Sequence, residues 1–326
     1  MPKPTSAPLV PDPGAIRLAM LGLVDGNGHP YSWSAIINGR YDRAAMADCG
    51  FPSIPQYLAA ESPEHLGIPG VQVTHVWCDD PAEAVKVAKA AFIPHVVKRP
   101  EDVIGAVDAV VIPTDRGWEH VDRARPFIEA GLPLFIDKPL CDRIEDLRQF
   151  VAWHREGKAF LSTSAMRYAK EFVAARERMA QTVGQPRLMT VTTPKSWERY
   201  GIHALEAVYP LLAPGGWVSV ANTGTESANI VHARHAGGGD VVLAAVADMY
   251  GAFAKLNVYG TTGSLAAALE GTFYAFKQQL VAFVDYLRTG EPPVPFDETV
   301  ELMKIIIAGV RSRQESGRMV RLEEIQ

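Results

Sequence analysis

Two residues stand where acid–base or charge-stabilising chemistry is easiest to place, Lys138 and His203. Lys138 lies in Asp137-Lys138-Pro139, directly after the apolar run Pro133 to Ile136. If that run is a strand of an open α/β sheet, the lysine stands outside its carboxyl end, where such sheets bind ligands. An ammonium there donates to a hydroxyl or carbonyl oxygen and stabilises developing alkoxide charge. The plainer alternative is a solvated surface charge. His203 lies in Trp197-Glu198-Arg199-Tyr200-Gly201-Ile202-His203-Ala204-Leu205-Glu206. A helix expected from about Gly201 has Ile202, Leu205, Tyr209 and Leu212 as its apolar stripe, with His203 beside it and Glu206 a turn further on. An imidazole with a nearby carboxylate makes a general base and its orienter; a buried or capping histidine is the alternative. Arg199, Tyr200 and Glu206 join as substrate-side candidates. The other histidines lack metal-ligand spacing such as H-E-x-x-H, so no metal is expected.

Elements must hold these groups. Ile16 to Val24, Val71 to Cys78, Ala109 to Pro113 and Pro133 to Ile136 are short, nearly continuous apolar runs. Strands of this kind are buried on both faces, as in parallel sheets. Between them lie amphipathic stretches: Pro81 to Ala91 opens on a proline, and Trp118 to Ala130 stops before Gly131. The alternation predicts βαβ units in a doubly wound sheet. The stretch Ile37 to Gly70 is too long for a usual crossover and reads as an insertion. A helix over Arg143 to Gly157 and a strand over Phe160 to Met166 follow. Strands then dominate: Leu188 to Thr193, Ala228 to Ala236, Val241 to Met249, Phe253 to Tyr259 and Ser264 to Leu269, with glycine turns at 237–240 and 260–263. Helices over Phe273 to Arg288 and Asp297 to Ser316 close the chain. The expected fold class is therefore α/β: a proline-rich flexible tail over 1–14, a Rossmann nucleotide-binding domain over 15–140, and a substrate and oligomerisation domain over 141–326 with a largely antiparallel open sheet.

The turn after the first strand is where a dinucleotide fingerprint, G-x-G-x-x-G, belongs. It reads Gly22-Leu23-Val24-Asp25-Gly26-Asn27-Gly28. Gly22 fits the first position, while Val24 and Asn27 replace the other two glycines. Gly26 and Gly28 are left to take over in a changed loop, and Asp25 repels a pyrophosphate. Ser32 and Ser34 are placed to cap the next helix or to bind phosphate. Asp79 and Asp80 close the second strand and serve either the ribose hydroxyls or the start of the helix at Pro81.

Composition narrows the classes. Of 326 residues, 32 are basic and 37 acidic, for a net charge of −5. This lacks the basic footprint of a nucleic-acid binder. No apolar run approaches the ~18–20 residues of a membrane span. Three cysteines, Cys49, Cys78 and Cys141, without C-x-x-C spacing fit a reducing, cytoplasmic setting.

Taken together, FIDKPL, DAVVIPTDRGWEHVDRARPFIEAGLP, SAMRYAKEF, GIHALE, VYGTTGSL and FVDYLRTGEPPVPFDETVELMKIIIAGVRS resemble, in order, segments of the glucose–fructose oxidoreductase / inositol dehydrogenase / MocA family. The likeness runs over residues 15–323. It implies NAD or NADP, and hydride transfer to or from a secondary alcohol of a sugar, sugar acid or cyclitol. It carries the family lysine onto Lys138, flanked by Asp137 and Pro139 in the cofactor loop, and the family histidine onto His203. Thr114 falls in the loop that lines the cofactor, and Arg167 and Tyr168 fall on the substrate side. A homodimer or homotetramer is implied, with Val241 to Val246 either forming its face or covered by the chain's own helices.

Three positions depart from the pattern. The glycine fingerprint is degraded, Cys78 stands where the ribose acid is usual, and Arg199 replaces an aspartate four residues before the histidine. Arg199 suits an anionic group, which favours a sugar acid as substrate. The departures also keep open a catalytically inactive binding or regulatory protein, which binds no nicotinamide, and an enzyme that retains its cofactor for internal redox.

Overall fold

The computed structural model describes residues 7–326. Six parallel strands form the first sheet: β1 (Ile16–Leu21), β2 (Val71–Trp77), β3 (His95–Val96), β4 (Ala109–Ile112), β5 (Leu134–Ile136) and β6 (Phe160–Leu161). Their order is β3-β2-β1-β4-β5-β6. The order reverses between β1 and β4, which opens a crevice at the carboxyl ends of those strands, the binding place of doubly wound folds. Every residue of β4 and β5 is buried, because helices cover both faces. The helices are α1 (His29–Asn38), α2 (Arg43–Ala47), α3 (Ser53–Ala59), α4 (Pro81–Ala91), α5 (His120–Glu129) and α6 (Ile144–Arg155). The expected insertion is α2 and α3. Gly39 ends α1 in the left-handed region, φ 74°, and a Cβ there would lie 3.1 Å from the backbone of Gly67.

The second sheet contains β7 (Pro186–Pro194), β8 (Trp217–Asn222), β9 (Ala228–His235), β10 (Gly239–Val246), β11 (Lys255–Gly260), β12 (Ser264–Ala268) and β13 (Val320–Arg321). Its order is β12-β11-β7-β10-β9-β8-β13, and every pair is antiparallel except β10 with β7. With it come α7 (Lys170–Thr182), α8 (Trp197–Val208), α9 (Thr272–Thr289) and α10 (Phe296–Gln314). Strand β10 alternates: Val241, Leu243 and Ala245 are buried in the shared core with α8 and α10, while Val242, Ala244 and Val246 are part exposed. The opposite face carries exposed Leu188, Ile230 and Tyr259.

The structure departs from the expected boundaries in four places. Strand β6 lies beyond residue 140 yet pairs with β5, so the first sheet continues past that limit. Helix α9 shares a core with the first sheet: Phe283 and Leu287 are buried together with Leu18, Met20, Val73 and Phe135. The expected tail is fixed from residue 9 onward: Leu9 N–H donates to the Leu287 carbonyl at 2.8 Å, and Val10 is buried. Residues 1–6 of that tail lie outside the described residues. Helix α8 begins at Trp197 rather than near Gly201, because Ser196 caps it by accepting from Arg199 N–H.

Candidate active site

Lys138 emerges from β5 almost wholly buried, 2% exposed. Its Nζ lies 3.8 Å from Asp115 and 3.9 Å from Asp137, and 4.7 Å from the centre of the Tyr200 ring. A buried ammonium is tolerable only with such partners. Asp115 follows β4 and is fully buried. Burial pushes its carboxyl up, but Lys138 and Arg199 outweigh burial and hold it below its usual range. Arg199, from the first turn of α8, donates to Asp115 at 2.6 Å and to the Asp25 carbonyl at 3.0 Å.

His203 is turned inward by α8, 5% exposed, edge-on to Tyr200 and Phe253. Burial, with Lys138, His29 and Lys195 nearby, holds its imidazole well below the ordinary histidine value, so it is neutral at neutral pH. Its Nδ1 lies 2.7 Å from Ser164 Oγ. Glu206, the orienter expected from sequence, does not fill that role. It pairs instead with Arg167 and accepts from Ser164 N–H, and Arg167 also donates to Glu298 at 2.9 Å. Arg167 and Glu206 therefore act one layer behind His203, through Ser164. The Tyr168 hydroxyl stands beside Thr163 and is pushed up to about 12 by burial.

Three residues near this cluster were not singled out from sequence. Asp115 is one. Lys195 is another: it ends the turn after β7 with φ 62°, a left-handed conformation costly for a lysine. Its Nζ donates to the Gly26 carbonyl at 2.9 Å and to the Tyr200 hydroxyl at 2.7 Å. Burial, then crowding by Lys138 and Arg199, bring it down to about 8 against the pull of Asp115. The third is His29 at the start of α1. Its ring stacks on Trp33 at 4.1 Å, and its Nδ1 lies 3.0 Å from Asp137. Asn27 also donates to Asp137, at 3.2 Å, which fixes the carboxylate beside Lys138. The signal for His29 was its place in the turn after the first strand.

Beside the cluster, at the carboxyl ends of β1 and β2, is an opening of about 710 Å³. Leu23, Asp25 and Gly26 line one wall, Asp79 and Asp80 the end of β2, and Arg116 and Arg123 the far side. Gly22 lies below it at φ 117°, and a Cβ there would meet the Thr114 methyl at 2.8 Å. Thr114 itself is buried and contacts His120. At the start of α1 the donors are already used: His29 N–H donates to Asn27 Oδ1 at 3.0 Å, Pro30 has no N–H, and the Tyr31 and Ser32 N–H groups donate to the Gly28 carbonyl. Position, backbone glycines and ribose-type acceptors fit the adenosine and phosphate half of a dinucleotide.

Two proposed cofactor contacts do not reach the opening. Ser32 is fully buried inside α1, so neither it nor Ser34 caps that helix. Gly28 faces Phe51 and Ile54 of the insertion, where a Cβ would lie within 2.7 Å of both. Among the described residues there is no cluster of three potential metal ligands and no helix long and apolar enough to cross a membrane.

Residues 53–164 match the model of an oxidoreductase family with an NAD-binding Rossmann fold. No match is found among curated proteins compared by sequence. Solved structures share the whole fold. A myo-inositol dehydrogenase from Corynebacterium glutamicum is 20% identical with a TM-score of 0.68, covering 94% of this chain and 99% of its own. The myo-inositol dehydrogenase of Lactobacillus casei, in complex with NAD(H) and myo-inositol, is 17% identical with a TM-score of 0.68 over 94% and 96%. GenD2 from gentamicin A biosynthesis, in complex with NAD, is 18% identical with a TM-score of 0.72 over 98% and 99%.

Proposed function

We propose that this chain belongs to the glucose–fructose oxidoreductase / inositol dehydrogenase / MocA family and transfers a hydride between nicotinamide and a secondary alcohol of a neutral polyol, a sugar or a cyclitol. The observation that carries the reading is the buried Lys138, held between two carboxylates at the carboxyl end of β5 and next to the dinucleotide opening. When bound, the nicotinamide supplies the hydride acceptor. Leu23 to Gly26 and Asp79 hold the dinucleotide. Lys138 donates to the alcohol oxygen and steadies the negative charge that grows there. With Nδ1–H of His203 hydrogen-bonded to the Ser164 oxygen, Nε2 carries the lone pair that takes the hydroxyl proton. The Tyr200 ring lies under both ammonium groups, with Lys138 and Lys195 4.7 and 4.1 Å from its centre.

A neutral substrate is favoured over a sugar acid because the charge of Arg199 is already answered by Asp115. The test is a panel of myo-inositol, scyllo-inositol, aldoses and uronates, with NAD and NADP supplied, followed by absorbance of the reduced nicotinamide at 340 nm. Native mass spectrometry of the purified chain looks for a retained dinucleotide. Oxidation of uronates alone removes the neutral-substrate reading, and no turnover with any member removes the dehydrogenase reading. The exposed face with Leu188, Ile230 and Tyr259 is the surface through which we expect a second copy to pair, which light scattering tests.

A further inference from the structure

We infer that the dinucleotide opening selects NAD(H) over NADP(H), and that Asp79 and Glu119 enforce the choice by keeping both of its arginines paired. The inference rests on the proposed binding of a nicotinamide dinucleotide at this place. The two cofactors differ by one phosphate on the adenosine ribose, which adds between one and two negative charges at neutral pH. Proteins take such a phosphate through guanidinium donors that have no other partner.

The opening offers two arginines, and both are engaged. Arg123 donates through Nη2 to Asp79 at 2.8 Å and through Nε to Glu119 at 2.9 Å. Arg116 donates to the other oxygen of Glu119 at 3.2 Å. Asp79 is itself fixed, because its second oxygen accepts from Leu23 N–H at 3.3 Å. This places a carboxylate at the end of β2, where ribose hydroxyls find an acceptor in doubly wound folds.

The positive end of α4 is no substitute phosphate site. Asp80 caps it, accepting from Ala82 N–H at 2.8 Å, so the helix dipole already faces a carboxylate. Asp25 and Glu83 add two more acids to the lining. Five carboxylates face two guanidiniums, so hydroxyls meet acceptors while a further phosphate meets net negative charge.

Calorimetric titration of the full chain with NADH and with NADPH tests the inference. NADH is expected to bind at least about tenfold more tightly than NADPH. Asp79→Asn leaves Arg123 with Glu119 as its one carboxylate, and Glu119→Gln leaves it with Asp79 and takes the carboxylate from Arg116; each is expected to bring the two affinities within about threefold, chiefly by tightening NADPH. Equal or tighter NADPH binding by the unaltered chain overturns the inference. So do folded variants, checked by their melting temperatures, that weaken both dinucleotides alike. If neither dinucleotide binds, the dehydrogenase reading falls as well; if both bind equally, only the preference falls.

Discussion

Asp115 and Arg199 meet at 2.6 Å across the junction of the two sheets, one following β4 and the other opening α8. Through Lys138, 3.8 Å from the other oxygen of Asp115, the contact reaches the end of β5. An arginine that looked like a free anion receptor is thus a structural partner for a buried acid.

Removing that arginine has a defined cost. Arg199→Met leaves Asp115 with Lys138 alone and is expected to destabilise the fold by about 2 kcal/mol. This is below the 3–5 of a fully buried pair because the guanidinium keeps some solvent contact. Asp115 is held below its usual 3.8, so its contribution is present above that value and is lost as pH falls through the lower folded value. Urea denaturation of both proteins at pH 7 checks the size. An unchanged midpoint would count against the pairing.

His203 and His120 give a second pH dependence of the same sign, in a higher pH window. Burial is the first cause in both, and it lowers both below 6.5. Each folded imidazole stays neutral while its unfolded counterpart takes up a proton. Their contribution is full above about pH 6.5 and falls away as pH drops below it, by up to about 1.4 kcal/mol per pH unit for each histidine. His203→Gln should flatten the fall in denaturation midpoint between pH 7 and 5. A curve parallel to that of the unaltered chain would remove His203 from the explanation.

Lys138→Met tests the chemistry. Loss of one donor to a developing oxyanion costs about 10²–10³-fold in turnover. The comparison uses whichever polyol the panel identifies, with NADH affinity measured alongside by calorimetry. A large loss of turnover with NADH binding intact is expected. Retained turnover would show that the lysine is only a counter-ion for Asp115 and Asp137.

Lys195 allows backbone and side chain to be separated. Both Lys195→Ala and Lys195→Gly remove the bonds to Gly26 and Tyr200, but only glycine relieves a backbone at φ 62°. The glycine variant is therefore expected to be more stable than the alanine variant by about 1 kcal/mol. Thermal melts of the two decide it, and the reverse order would sink the strain argument.

The fold was legible where physics is local. Strands β4 and β5 are continuous apolar runs because both faces are covered, β1 is broken only by exposed Arg17, and Pro81–Ala91 declares its own start through Asp80 and Pro81. Helix α7 was not read because it is strongly charged and buries only Phe172 and Ala175. Strand β8 was hidden by the glycines before it and by a polar Asn222 at its end. Lys138 and His203 stand out in the sequence because each adjoins a readable element. Asp115 and Lys195 take their meaning from partners 84 and 169 residues away, a separation that no local pattern encodes. Glu206 was misassigned for the same reason, since its partner Arg167 lies 39 residues upstream on another element.

Helix α9 has a consequence for how the chain is made. Its residues Phe273, Leu280, Phe283 and Leu287 complete the core of a sheet whose last strand ends at Leu161. A ribosome therefore releases the first sheet with an apolar flank uncovered, and must add more than a hundred further residues before α9 emerges to close it. The nascent first sheet is left without its own seal until α9 has been made. Truncation before residue 272 should thus yield an aggregating fragment rather than a free-standing domain.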